Sequence, residues 1–262
     1  MTEAHSFRLR PIEAARAFRA SLRDPDDAEQ FVRIVDALSG RSGLRMLERF
    51  LLLPGSRSLV REERTLFEVL SDRAALEALS EGSLGRAYAA FMSTEQLAPD
   101  GLVEATAQAV GDVPETDDVY VWFLERFRDS HDLWHVLTGY GRDLLGEAAL
   151  LAFTHAQTRM HGFGFMAGGL YLRTLLPGLP PGAPPTENVR SRLRAMLRDG
   201  WRRGRAADWL PAQDWAALLP APLTTVRERL AISEPVPYEP LRSVGAPARD
   251  APDPRNDSSR AP

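Results

Sequence analysis

The sequence predicts an all-α protein: a single multi-helix domain in which a helix, a glycine break and a second helix form a metal site. Three observations carry this. Apolar residues recur at threes and fours along most of the chain, strand-like alternation is scarce, and proline, glycine or capping residues interrupt the pattern at helix-length intervals. With 262 residues, 44% of them apolar, the chain can bury one substantial core.

Pro11 suits the first position of an opening helix, IEAARAFRASLR. The acidic residues and proline at 24–27 punctuate and cap a second, AEQFVRIVDAL, with Phe31, Ile34, Val35 and Leu38 on one face. Residues 43–53 form a third apolar stretch stopped by Pro54 and Gly55, and helical patterns follow at 65–70 and 72–79. Ser83 stands as the N-cap of a helix whose stripe is Leu84, Ala87, Tyr88 and Phe91, and Pro99 and Asp100 mark the next break.

A helix is expected to start at 116–118 and to carry Tyr120, Leu124, Phe127, His131, His135 and Thr138 on one face. Gly139 and Gly141 end it, and a second helix bears Glu147 and continues through Leu151 and His155. The glycine-rich stretch 162–170 permits close helix contact, or a wall for a flat or long apolar ligand. A proline-rich loop at 177–185 precedes a helix over 186–203 with Leu193, Met196, Leu197 and Trp201 on one face among many arginines. The last helix lies within 222–232. The domain is thus expected over 1–234, with 235–262 a disordered Pro-rich tail.

The absence of cysteine excludes disulfides, Fe–S clusters and thiolate zinc, so a metal site must draw on carboxylates and the five histidines. A net charge of −4 carries no nucleic-acid signature. No apolar run approaches the ~18–20 residues of a membrane span, and the N-terminus lacks a signal-peptide pattern, which fits a cytoplasmic location.

His131 and His135 lie one helical turn apart on a single face, the spacing by which one helix offers two imidazoles to one metal. They occupy positions that a core-facing helix normally fills with apolar groups. Asp132, ~100° from the first and ~60° from the second, borders the same site. On an unbroken helix Glu147 would sit ~18 Å beyond His135 and ~120° around the axis. A chain reversal at the paired glycines instead brings it opposite the histidines, giving a site of two histidines and one or two carboxylates. A zincin peptidase would carry Glu where this chain has Asp132. A His-Asp phosphohydrolase needs further ligands, and the only upstream histidine is His5. Arg142, near the start of the second helix, is placed to bind an anionic group. The Arg-rich helix reads either as a basic membrane-surface helix or, preferably, as an ordinary amphipathic helix with its charges in water. His155 and His161 carry no assigned role.

The string His131-Asp132-Leu133-Trp134-His135, followed after eleven residues by Glu147, resembles the fourth Coq protein family of ubiquinone (coenzyme Q) biosynthesis, marked by His-Asp-x-x-His, eleven residues, Glu. Gly82-Ser83-Leu84-Gly85-Arg86-Ala87-Tyr88 and Val226-Arg227-Glu228-Arg229-Leu230 extend the likeness over roughly residues 43–232, more loosely across 155–205. The resemblance implies a helical homo-oligomer, peripheral to the inner membrane, that binds an isoprenoid-tailed ligand and works with other ubiquinone biosynthesis proteins. It implies His131, Asp132, His135 and Glu147 as ligands of a divalent metal, Zn2+ or Fe2+, with Asp132 and His135 catalytic. The implied reaction is an oxidative decarboxylation, classed as a carbon–carbon lyase activity, on a 4-hydroxy-3-methoxy-5-polyprenylbenzoate. It replaces the carboxyl at ring carbon one by hydroxyl and releases carbon dioxide. The ring and tail are expected against Phe153, Phe163, Phe165 and Met166. The alternatives are a non-catalytic prenyl-lipid-binding organiser of quinone biosynthesis enzymes with a structural metal, and a metal-dependent hydrolase.

Overall fold

A computed structural model describes residues 8–21, 28–62, 64–95, 118–178 and 188–241. Among them the chain forms α1 (Pro11–Ser21), α2 (Ala28–Ser39), α3 (Arg41–Leu51), α4 (Ser56–Leu59), α5 (Leu66–Ser71), α6 (Arg73–Glu77) and α7 (Leu84–Thr94). The second half gives α8 (Asp118–Asp129), α9 (His131–Thr138), α10 (Leu144–Thr158), α11 (His161–Arg173) and α12 (Val189–Ala206). A 3-10 turn at Leu210–Ala212, α13 (Trp215–Leu218) and α14 (Leu223–Arg229) complete it. The described residues contain no strand, only an isolated bridge between Ser83 and Pro222. The all-α expectation holds. The expected cap at 24–27, the break at Pro99 and Asp100, residues 116–117, and 179–185 of the proline-rich loop lie outside the described residues.

Side-chain caps open α5, α6 and α7, and of these the cap at Ser83 is the one expected from the sequence. Thr65 and Glu68 form a reciprocal capping box on α5, Asp72 accepts from Ala75 N at the start of α6, and Ser83 accepts from Arg86 N at the start of α7. The first amides of α7 are also bound by remote carbonyls, Leu84 N by Ala221 O and Gly85 N by Leu219 O, both at 2.9 Å. This ties α7 to the segment before α14.

Two groups of buried side chains make up the core. One gathers Leu84, Leu133, Leu137, Leu150, Phe153, Leu193 and Trp215 from α7, α9, α10, α12 and α13. The other gathers Ile34, Phe50, Phe123, Phe163 and Met166 from α2, α3, α8 and α11. Phe127 packs against both, edge-on to Trp134 and to Phe163, and joins them.

The axis of the fold is the pairing of α10 with α12. A Cβ added at Gly200 would stand 1.9 Å from Ala149 O, and one at Gly204 would stand 2.6 Å from Phe153 O. The two helices therefore touch backbone to backbone and run in the same direction along the contact. On the next helix, a Cβ at Gly162 would meet Val35 Cα at 2.6 Å, so the glycine-rich stretch seats α11 against α2.

Two expectations need correction. The sequence predicts one continuous helix from 116–118 to Thr138, but the chain divides at Ser130, between α8 and α9. The Ser130 hydroxyl donates to Phe127 O at 2.8 Å, a side-chain bond of the kind that competes with a helix's own amides, while Ser130 itself keeps a right-handed helical backbone. The sequence predicts a disordered tail from 235, yet residues 235–241 have a defined place against the domain, with Leu241 buried. Leu144 N donates to Leu241 O and Leu241 N to Asp143 Oδ1, each at 2.8 Å. Residues 242–262 lie outside the described residues.

Candidate metal centre

The centre is built at a chain reversal between α9 and α10. Gly139 ends α9 at φ 73°, a left-handed conformation that glycine adopts without steric penalty. Asp143 then caps α10, its carboxylate accepting from Leu145 N at 3.0 Å and Gly146 N at 3.5 Å. Glu147, the fourth residue of α10, is thereby turned back toward α9.

The ligand atoms of His131, Asp132 and His135 lie within 4.8 Å of one another. Glu147 approaches from one side, with Oε1 3.6 Å from His135 Nε2 and 3.6 Å from Arg142 Nε. The two imidazoles are nearly perpendicular, with ring centres 4.9 Å apart, and Phe91 of α7 stacks on His135 at 5.6 Å. His131 and Asp132 are half-buried, and His135 is wholly buried.

His135 is oriented by its backbone neighbour. Its Nδ1 lies 2.9 Å from Tyr140 O. A carbonyl can only accept, so Nδ1 carries the proton and Nε2 presents its lone pair. That Nε2 is buried with no hydrogen-bond partner. A buried, unsatisfied acceptor costs free energy unless something completes it. Burial pushes the His135 pKa down to about 4, and His131 is lowered by burial and by its neighbour His135, so both rings favour the neutral, ligating form. Partial withdrawal from water raises the Glu147 carboxyl above its ordinary value.

These donors fit a divalent cation. An orphaned imidazole nitrogen, a second imidazole and two carboxylates suit Zn2+ or Fe2+ alike, and neither is selected by this donor set. Arg142, with 37% of its side chain exposed, stands at the rim, where an anionic group could meet it.

Other residues expected at the site lie elsewhere. Phe153 is fully buried in the core, Phe163 and Met166 belong to the second buried group, and Phe165 meets Phe18 edge-on at the surface. The wall against the histidines is Phe91, which the α7 stripe had placed only in the core. Several arginines of α12 are also engaged. Arg190 donates to Leu176 O at 2.9 Å, Arg194 to Thr174 O at 3.0 Å and Arg198 to the Tyr171 hydroxyl at 2.6 Å, binding the end of α11. The described helices include none long and apolar enough to cross a membrane.

Residues 9–236 match the model of the family described as coenzyme Q (ubiquinone) biosynthesis protein Coq4. The chain belongs to the Coq4 family. Among its Coq4 relatives is a mitochondrial ubiquinone biosynthesis protein coq4 from Pyrenophora tritici-repentis, 27% identical over 213 residues, covering 78% of this chain and 65% of that protein. The mitochondrial COQ4 of Yarrowia lipolytica is 33% identical over 124 residues, covering 47% of this chain and 45% of that one. The mitochondrial COQ4 homolog of Mus musculus is 28% identical over 166 residues, covering 63% and 55%. The chain thus spans 45–65% of the length of these three relatives. A crystal structure of a candidate ubiquinone biosynthesis protein from Nostoc punctiforme superposes with a TM-score of 0.60, covering 87% of this chain and all of that one. At 22% identity that likeness shows the fold alone.

Proposed function

We propose that this Coq4-family chain acts in ubiquinone biosynthesis, replacing the carboxyl at ring carbon one of a polyprenyl-hydroxybenzoate by hydroxyl with release of carbon dioxide. The observation that carries the reading is the buried, partnerless Nε2 of His135, facing a second imidazole and two carboxylates beside a half-exposed arginine. In this reading His131, Asp132, His135 and Glu147 hold one divalent cation. When bound, that cation supplies Lewis acidity and, if it is iron, redox chemistry with dioxygen.

The remaining roles belong to the chain itself. Arg142 pairs with the substrate carboxylate at the rim. Asp132 takes the proton of a ring hydroxyl as it binds, its carboxylate being close to both imidazoles. Phe91 offers a flat apolar face to the ring and keeps water from His135. The oxygen atom entering the ring comes from dioxygen, and the second is reduced to water by an external two-electron donor.

The test is to incubate the metal-loaded protein with a polyprenyl-hydroxybenzoate, dioxygen and a reductant. Release of labelled carbon dioxide that disappears in His135→Ala supports the reading. Binding of the prenylated benzoate without turnover under any redox metal contradicts it and leaves a non-catalytic organiser of quinone biosynthesis enzymes. Membrane attachment, self-association and contact with other ubiquinone biosynthesis proteins belong to the same proposal.

A further inference from the structure

The C-terminal end of α9 is gripped by side chains from remote segments. Arg227 of α14 donates to Leu137 O at 2.9 Å and to Val136 O at 3.0 Å. Arg203 of α12 donates to Thr138 O at 2.8 Å and to Ser233 O. The Tyr140 hydroxyl donates to Asp199 Oδ2 at 2.7 Å, and the Arg203 guanidinium lies 4.6 Å above the Tyr140 ring. Asp199 also accepts from Arg202 at 2.7 Å and from Val236 N at 3.3 Å.

This arrangement is costly for a helix end. The Arg203 and Asp199 side chains are each 2% exposed, their nearest charged atoms stand 4.0 Å apart, and Arg203 Nε and Nη1 have no hydrogen-bond partner. Asp199 is paired at 2.7 Å with the exposed Arg202, yet buried charges are a poor source of stability compared with apolar packing. What the network does provide is a fixed position for Tyr140, whose own carbonyl orients His135.

The end of α10 offers a built-in comparison. There the same local device recurs: His155 Nδ1 lies 3.1 Å from Met160 O, the Thr158 hydroxyl donates to Thr154 O, Met160 N donates to that hydroxyl, and Arg159 is left-handed at φ 57°. The residue at the position of Tyr140 is Met160, which has no hydroxyl to clamp. The cap alone can bond an imidazole to a carbonyl. The clamp is an addition, made at the histidine that faces the candidate ligands.

We propose that Asp199 is a positioning residue for His135: by holding the Tyr140 hydroxyl it fixes the Tyr140 carbonyl, and with it the imidazole orientation that presents Nε2 to a divalent cation. The cation's part in this rests on the function proposed above, whereas the imidazole's orientation does not. Ligating histidines are commonly oriented in this way by a group bonded to the other ring nitrogen.

The test compares the full-length, metal-free protein with Tyr140→Phe and Asp199→Asn by long-range 1H–15N correlation of the imidazoles, followed by Co2+ titration. Wild type is expected to show His135 and His155 as Nδ1–H tautomers. In both variants the His135 signals are expected to shift or broaden while those of His155 stay in place. Cobalt affinity should fall about ten-fold. Thr65→Ala, which removes the α5 capping box, lowers stability without touching this network and should leave affinity unchanged. If Asp199→Asn does not fold, Tyr140→Phe decides. Unchanged His135 signals in the variants overturn the inference even if affinity falls, and so does a wild-type His135 protonated on Nε2. Should wild type take up no cobalt, the metal reading fails, and the imidazole spectra alone decide the role of Asp199.

Discussion

Glu147 Oε1 stands 3.6 Å from His135 Nε2, although the two residues belong to different helices on either side of a left-handed glycine. The reversal at Gly139 and the Asp143 cap on α10 create this proximity. The proposed chemistry depends on it.

Replacing Glu147 tests the contribution of the second helix. Glu147→Ala is expected to weaken Zn2+ or Co2+ binding about ten-fold or more while the helical content stays that of wild type. Calorimetric titration measures this. An affinity equal to that of wild type would remove Glu147 from the ligand set.

Acidification should destabilise the metal-free protein. Burial holds His135 at about 4 in the folded chain, against an ordinary value of 6.5, and His155 is lowered in the same direction. Between these values the unfolded chain binds more protons, so stability falls as pH drops from 6.5 toward 4. Glu147 is raised and works in the opposite sense, but 41% of its side chain is exposed and solvent weakens its effect. Thermal melts at several pH values should show a falling midpoint below pH 6.5, with a smaller drop in His135→Gln. An equal drop in the variant would assign the acid sensitivity elsewhere.

Much of this architecture was legible from short-range rules. The cap at Ser83, the stop at Gly139 and the i, i+4 histidines each depend on neighbours a few residues away, and sequence displays such neighbours directly. The division at Ser130 was harder to read, because no glycine or proline marks it and the hydroxyl bond to Phe127 O appears only in three dimensions. Residues 235–241 have the composition of a tail, and their place depends on bonds to Asp143 and Asp199, far away in the chain. Asp199 did leave a trace: it is the single acid in α12, VRSRLRAMLRDGWRRGRA. Nothing local links it to Tyr140.

Backbone contact between α10 and α12 predicts a strong steric effect. Gly200→Ala places a methyl 1.9 Å from Ala149 O, where only movement of the whole helix can relieve the clash. The expected loss is about 1–3 kcal/mol, read from urea denaturation at constant m-value. A neutral result would mean that the helices stand farther apart than the Gly200–Ala149 geometry requires.

Arg227→Met should also destabilise, because Val136 O and Leu137 O lose their guanidinium donors while the aliphatic stem is largely kept. A loss of about 1–3 kcal/mol is expected for carbonyls left without partners, with faster amide exchange across α9. Exchange rates in α9 equal to those of wild type would contradict this anchoring role.

The central claim is that His131, Asp132, His135 and Glu147 form one cation site, and metal stoichiometry tests it most directly. Protein dialysed against limiting Zn2+ or Fe2+ and then assayed by elemental analysis should retain about one equivalent per chain, falling toward zero in both His131→Ala and His135→Ala. Wild type that retains no metal, or histidine variants that retain as much as wild type, would contradict it.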